Sequence, residues 1–259
     1  MTIKTTKSLN NICALIGGGA SGLGLATATR IIEAGGRVTL LDISQEQGIK
    51  AQQQLGDKSL FIETDVSSES AVDSAVEQAV NHFSHINLAV NCAGIAPSSR
   101  VLGKDGVMPT ADFARVMAIN LTSTFCVSRS AANAMQHNDV TDDGERGVII
   151  NTASIAAYDG QTGQAAYAAS KGGIVSMTLP LAREFSRFGI RVMTIAPGVF
   201  LTPMFDTLPA KAVEMLEQST PFPKRLGKPN EFAEMVCHIF QNTMLNGETI
   251  RLDGALRMS

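Results

Sequence analysis

Residues 12–26 read ICALIGGGASGLGLA: an apolar run that breaks into glycines and resumes as a helical pattern reaching about Ala34. The run 12–17 has no polar side chain, the reading expected of a strand covered on both faces. Gly17, Gly18, Gly19, Gly22 and Gly24 follow at once. Glycine lets the backbone turn tightly and approach a phosphate with no Cβ in the way. A helix amino terminus adds unpaired N–H groups and a partial positive charge. A glycine cluster alone is weak. One that follows a strand and opens a helix is the context of a dinucleotide loop, and it predicts Gly18 and Gly24 beside a pyrophosphate.

Outward from that loop, β-rich runs alternate with helical spacing to the end of the chain. The strand candidates are 12–17, 37–42, 59–65, 86–91, 147–152, 190–196 and 248–252. Most are continuously apolar, as when helices cover both faces of a parallel sheet. Between them, residues 68–83 place Val72, Val76, Ala79, Val80 and Phe83 at three- and four-residue steps, with Ser67 or Ser68 available as a cap. Parallel strands need long crossovers, and right-handed ones build a doubly wound sheet. There is no internal repeat, low-complexity tract or dividing linker. The expectation is one α/β domain over 1–259. Two stretches interrupt the alternation. Residues 96–109 form a Gly/Pro/Ser-rich loop after the fourth strand, at the end where ligands of open α/β sheets bind. Residues 136–146 are a polar excursion at the opposite end, expected at the surface or in a subunit contact.

Composition excludes several classes. Of 259 residues 44% are hydrophobic and 17% charged, enough to fill a core and too apolar for disorder. Lys and Arg number 21 against 24 Asp and Glu, a net charge of −3 with no basic block. Binding to a phosphate backbone needs clustered cations, so no nucleic-acid partner is expected. No apolar run approaches the roughly 20 residues of a membrane span. The opening MTIKTTKSLNN lacks an apolar signal core and has no arginine, which predicts a cytoplasmic protein. Cys13, Cys92, Cys126 and Cys237 are far apart and are expected as buried thiols. His82, His85, His137 and His238 share no ligand spacing and are expected at surfaces, so no metal is implied.

Asp42 ends the second strand, 18 residues past Gly24. A carboxylate there accepts from both ribose hydroxyls of NAD and repels the 2′-phosphate of NADP. Ile43, Ser44 and Gln45 add no positive charge. The cofactor expected is NAD; the competing role for Asp42, a helix cap, is better filled by Ser44.

Tyr167 and Lys171 stand four apart in a segment, 164–187, that reads as a helix, so both project from one face. Ser154 closes the fifth strand. A phenol ordinarily ionises near pH 10, so its phenolate must be stabilised before it serves as a base near neutrality, by about 1.4 kcal/mol for every tenfold gain in ionisation. An ammonium one helical turn away and a cationic nicotinamide ring would supply it. Ser154 would hold the substrate oxygen while hydride leaves carbon.

With the glycine loop, Asn91-Cys92-Ala93-Gly94, Asn120, Ser154, Tyr167, Lys171 and Pro197-Gly198 in this order, the chain resembles the short-chain dehydrogenase/reductases over essentially its whole length. The resemblance implies a Rossmann-like domain with a seven-stranded parallel sheet flanked by helices. It implies Tyr167 as proton acceptor, Lys171 on the nicotinamide ribose and Asn120 in a water-mediated proton relay. It places Ser21 and Leu23 in the phosphate loop, Asp65 and Val66 at adenine, Asn91, Cys92, Ala93 and Gly94 along the cofactor, and Pro197, Phe200 and Thr202 over the nicotinamide. Gly17 stands where the family often has threonine and Cys92 where a second asparagine is frequent; altered hydrogen bonding rather than lost binding is expected.

The runs NCAGIA, RGVIINTAS, GQAAYAASKGGIVSMTLP, PFPKRLG and LNGETIRLDGALRM are similar to the type 2 3-hydroxyacyl-CoA dehydrogenase group. Pro180 inside the catalytic helix belongs to that pattern. What the group implies is NAD-dependent oxidation of (S)-3-hydroxyacyl-CoA, 2-methyl-3-hydroxybutyryl-CoA included, by a homotetramer. Gln161 and Gln164 are candidates for the thioester carbonyl or plain loop amides. Residues 200–215 read equally as a lid over an acyl chain or as core, and Arg100, Lys104 and Lys211 as coenzyme A contacts or solvated cations. A steroid or other secondary alcohol remains open as substrate. A carrier-protein reductase is disfavoured by Asp42, and a non-catalytic NAD-binding scaffold by the intact Ser154, Tyr167 and Lys171.

Overall fold

A computed structural model describes residues 7–104, 106–203 and 210–258. The elements in chain order are β1 (Cys13–Gly17), α1 (Gly22–Glu33), β2 (Arg37–Asp42), α2 (Gln45–Leu55), β3 (Ser59–Glu63), α3 (Glu69–Phe83) and β4 (Leu88–Asn91). A short hairpin, β5 (Leu102–Gly103) and β6 (Gly106–Val107), precedes α4 (Thr110–Met117), a π-helical turn (Ala118–Thr122) and α5 (Ser123–Met135). Then come β7 (Gly147–Thr152), α6 (Ala165–Phe185), β8 (Ile190–Pro197), α7 (Ala210–Ser219), α8 (Pro229–Gln241) and β9 (Thr249–Leu252). The seven long strands pair in parallel in the order β3-β2-β1-β4-β7-β8-β9. All seven strand candidates are present, and the fold is the Rossmann-like one expected.

Strand alternation splits the core. On one face Ile12, Ala14 and Ile16 pack with Val38, Leu40, Val90 and Ile150 against Ala28 and Ile31 of α1, Leu55 of α2 and Phe232, Val236 and Phe240 of α8. On the other, Leu15, Leu41, Ala89 and Ile149 meet Val72 and Val76 of α3, Val127 of α5 and Leu181 of α6. Side chains two apart share a face, so one continuously apolar strand feeds both layers. Because the order reverses between β1 and β4, the crossovers from these neighbours leave in opposite directions and open a crevice at their carboxyl ends.

Helix starts follow side-chain chemistry. Ser68, not Ser67, caps α3 by accepting from the Ala71 N–H at 3.4 Å, and Ser44 caps α2 by accepting from Gln47 N–H at 3.4 Å. Three expectations need adjustment. The loop 96–109 contains the β5–β6 hairpin, whose strand residues are exposed. The excursion 136–146 is exposed through 139–144, but Glu145 is buried between Lys7 and Arg191, accepting from Arg191 Nε at 2.9 Å. The ion pairs compensate a carboxylate that burial would otherwise disfavour. His85 is half-buried while His82, His137 and His238 are exposed.

Candidate active site

The glycine loop is built for close approach. Gly18 has φ +69°, and a Cβ on it would lie 2.6 Å from Ala93 N; a Cβ on Gly24 would lie 2.1 Å from Gly18 O. The loop is hung on β2, since Gly18 and Gly19 N–H donate to Leu41 O at 2.8 and 3.2 Å. Ser21 occupies the N-cap of α1 without spending its side chain on a capping bond. Leu23 follows in the first helical turn, where N–H groups lack intrahelical acceptors. Thr202 reaches this loop too: its Cγ2 is 3.5 Å from where a Cβ of Gly22 would stand.

Asp42 is fixed rather than dangling. One carboxylate oxygen accepts from Ala20 N–H and the other from Ser44 N–H, both at 3.1 Å. Each oxygen keeps a lone pair for a ribose hydroxyl. Ile43 beside it is 68% exposed, an apolar surface that no sequence motif marks. Asp65 accepts from both the N–H and hydroxyl of Ser67, and Val66 lies 4.0 Å from a Cβ placed on Gly17. The carboxylate, the Cβ-free cradle and the free helix terminus fit a dinucleotide.

On the other side of the crevice, β4 delivers Asn91, Cys92, Ala93 and Gly94. Asn91 is buried and donates to Asn151 Oδ1 at 2.8 Å, tying β4 to β7 below the crevice. Cys92 N–H donates to Gly17 O at 2.8 Å, and its Sγ accepts from the Thr152 hydroxyl at 3.7 Å. A thiol therefore receives the hydrogen bond at the position where the family often has asparagine. Burial pushes that thiol up to about 11, with the Thr152 bond and the Lys171 charge opposing.

Gly94 brings two further groups together: a Cβ there would meet Asn120 Oδ1 at 3.1 Å and Lys171 Nζ at 3.6 Å. Asn120 is fully buried in the π-helical turn. Its Oδ1 accepts from Ile95 N–H at 2.8 Å, while Nδ2 donates to Ile95 O at 2.9 Å and to Ser170 Oγ at 3.0 Å. Lys171, buried in α6, donates to Thr152 O at 2.8 Å and lies 5.8 Å from the centre of the Tyr167 ring. Burial lowers its pKa to about 8, partly offset by Cys92. Tyr167 is hydrogen-bonded to Ser154; burial raises the phenol and that bond pulls it back down. Ser154 sits two residues past β7, where its Oγ also accepts from Ala156 N–H at 3.1 Å. Thr152 and Ser170 thus belong to the site through groups that no sequence spacing marks.

Other candidates are placed less centrally. Pro197 ends β8, and the Phe200 ring is buried in the core against Gly227, with which its main chain forms a parallel bridge. Gln164 Oε1 accepts from Gln161 N–H at 2.9 Å, so this amide braces its own loop, and Gln161 is exposed. Ser99 N–H donates to Gly163 O at 2.9 Å, seating the loop 96–109 on the approach to Tyr167. Arg100 and Lys104 are exposed; Lys211 and residues 204–209 of the suggested lid lie outside the described residues and side chains. Among the described residues no metal-ligand cluster occurs and no helix is long and apolar enough to cross a membrane.

A glycine-cradled crevice with a serine–tyrosine–lysine set beside it defines a dehydrogenase, and the chain belongs to the short chain dehydrogenase family, whose model matches residues 12–212. It is an oxidoreductase of a family whose dehydrogenases use nicotinamide cofactors. The chain is 51% identical to bovine (Bos taurus) and 50% to human (Homo sapiens) 3-hydroxyacyl-CoA dehydrogenase type-2, over 97% of each chain. It also superposes on the crystal structure of 3-hydroxyacyl-CoA dehydrogenase type-2 from Mycobacterium avium with a TM-score of 0.91 at 38% identity, covering 100% of this chain and 99% of that one.

Proposed function

We propose that this protein is an NAD-dependent dehydrogenase that oxidises (S)-3-hydroxyacyl-CoA, 2-methyl-3-hydroxybutyryl-CoA included, to the 3-oxoacyl thioester. The Ser154–Tyr167 hydrogen bond with the Lys171 ammonium one turn along the same helix carries the chemistry. The full-length similarity to dehydrogenases so named supports the substrate. Asp42 supports NAD over NADP, because a fixed carboxylate repels a 2′-phosphate.

Gly18, Ser21, Leu23 and Gly24 would hold the pyrophosphate, Asp42 the adenosine ribose, Asp65 and Val66 the adenine, and Asn91 to Gly94 with Pro197, Phe200 and Thr202 the nicotinamide end. When bound, the nicotinamide supplies the hydride acceptor and a positive charge beside the phenol. Ser154 donates to the substrate oxygen and steadies the alcohol against Tyr167. Tyr167, as phenolate, takes the hydroxyl proton while the carbinol carbon loses hydride, leaving a carbonyl. Lys171 stabilises the phenolate by charge and holds the ribose. Asn120, held by Ile95 and Ser170, would order a water file through which the proton leaves. Gln161 and the Gln164 Nε2 amide would donate to the thioester carbonyl from the loop ahead of α6. We place the enzyme in the cytoplasm as a homotetramer; exposed Phe113 and Phe125 on α4 and α5 give subunits apolar surface to bury.

The deciding experiment mixes protein, NAD and 3-hydroxybutyryl-CoA and follows NADH, with steroid and other secondary alcohols as competitors ranked by kcat/KM. The thioester is expected to lead. Faster turnover of another alcohol, or preference for NADP, overturns the proposal.

A further inference from the structure

Away from the reacting groups, a second polar constellation sits where β9 ends. Arg251, four-fifths buried, donates through Nε to Asp253 Oδ2 at 2.7 Å. Its Nη2 donates to Asp159 Oδ2 at 2.5 Å and to Leu256 O at 3.1 Å. The guanidinium carbon stands 5.1 Å from the centre of the Tyr158 ring. The Asp253 side chain is itself only 7% exposed, and it also accepts from Arg257 Nη1 at 3.0 Å and from Ala255 N–H at 2.9 Å.

The chain segments gathered there matter more than the ion pairs. Tyr158 and Asp159 form the corner of the loop 155–164, which leaves Ser154 and enters α6 just before Tyr167. Gly160, next in line, is pressed to α6: a Cβ on it would lie 3.0 Å from Ala168 Cβ. Asp253 backs onto the end of β8, where a Cβ on Gly198 would meet Asp253 Cα at 2.9 Å. One residue on, Gly254 O accepts from Phe222 N–H at 3.3 Å, and a Cβ on Gly254 would come within 2.7 Å of the buried Thr220, just past the end of α7. Arg251 therefore joins the loop carrying the substrate-side groups, the Pro197–Gly198 end of β8 and the base of α7. A planar guanidinium reaches two carboxylates and a carbonyl at fixed angles, which an ammonium does not reproduce.

We infer that Arg251 is a positioning residue. Through Asp159 and Asp253 it clamps the substrate loop 155–164 to the base of α7, and it sets affinity for the alcohol substrate without touching it. The inference rests on the proposed dehydrogenase reading for its kinetic arm alone. Loss of the clamp frees both segments while the glycine loop, anchored on β2, keeps the dinucleotide site intact.

The test uses the full-length enzyme and two readouts. Hydrogen exchange of the free protein should show the peptides covering 155–164 and 216–222 exchanging about tenfold faster in Arg251→Gln, with β1 and α3 unchanged. Asp159→Ala, which removes one arm, should loosen 155–164 and leave 216–222 protected. It also carries the test if Arg251→Gln does not fold. In kinetics, KM for 3-hydroxybutyryl-CoA should rise about tenfold, with KM for NAD and kcat changed less than about twofold, and Arg251→Lys should restore only part of the loss. Unchanged exchange in both segments overturns the inference, as does faster exchange spread over the whole molecule or a parallel rise in both KM values. A wild-type enzyme that ignores the thioester refutes the substrate reading instead, and exchange then decides the clamp by itself.

Discussion

The ammonium of Lys171 donates to the main-chain carbonyl of Thr152 at 2.8 Å, inside a site that excludes water from it almost completely. Burial lowers its pKa to about 8 against 10.5 in the unfolded chain. Between those values the unfolded chain binds more protons than the folded one, so this group adds stability as pH rises through that window and withholds it below. Urea denaturation of cofactor-free protein should show wild type gaining on Lys171→Met by roughly 3 kcal/mol from pH 7.5 to 10.5. A constant gap would show that the ammonium is solvated.

Tyr167→Phe should lower kcat by about 10² to 10⁴ while NAD still binds, as judged by fluorescence titration. Ser154→Ala adds a directional check. The serine hydrogen bond pulls the buried phenol down, so its removal should move the alkaline rise of kcat/KM for alcohol oxidation to higher pH. A shift the other way would mean that Ser154 does not address the phenol.

Gly24→Ala should prevent folding or abolish NAD binding, because its Cβ would enter the van der Waals space of Gly18 O. Gly17→Thr should be mild. Its Cβ has 3.5 Å to Asn91 Oδ1 and 4.0 Å to Val66, an ordinary contact, so the stability change should stay within about 1 kcal/mol by thermal melt.

Asp42→Ala should raise KM for NAD about tenfold or more, since two loop N–H groups lose their acceptor along with the ribose hydroxyls. Combined with Ile43→Arg it should turn preference toward NADP. Ratios of kcat/KM for the two cofactors measure this directly; an unchanged ratio would detach Asp42 from ribose selection.

Glu145→Gln should cost about 3–5 kcal/mol in urea, because the buried Arg191 and its neighbour Lys7 lose the negative charge set between them. The triad lies at the amino ends of β7 and β8, away from the crevice, so kcat should hold. Lys7→Met, at the more exposed arm, should cost less.

Strand apolarity disclosed the fold because each run faces two helical layers; the pattern Leu15 inward to one side and Ile16 to the other needs no tertiary knowledge. The glycine loop, Asp42, Ser154, Tyr167 and Lys171 were legible since their chemistry depends on residue type and short spacing. Thr152 was not, because it meets Lys171 through a main-chain carbonyl that every residue possesses. Ser170 escaped for another reason: its partner, Asn120, is 50 residues away and turned by backbone geometry. Glu145 looked like surface amid QHNDVTDDGER, and only the convergence of Arg191 and Lys7 explains a buried carboxylate there.

Asn120 occupies a turn wound one residue wider than its neighbours, between Met117 and Ser123. An α-helix advances about 100° per residue, so that surplus residue rotates everything after it relative to everything before. α4 and α5 are thus a single rod cut into two phases: α5 keeps Cys126, Val127 and Ala131 against the sheet while the wide turn aims a carboxamide at Ile95 and Ser170. Excising one residue here would bring the halves back into phase, swing those core contacts outward and leave Ser170 without the amide it faces, so the dephasing is a constraint on chain length that no neighbouring substitution can relieve.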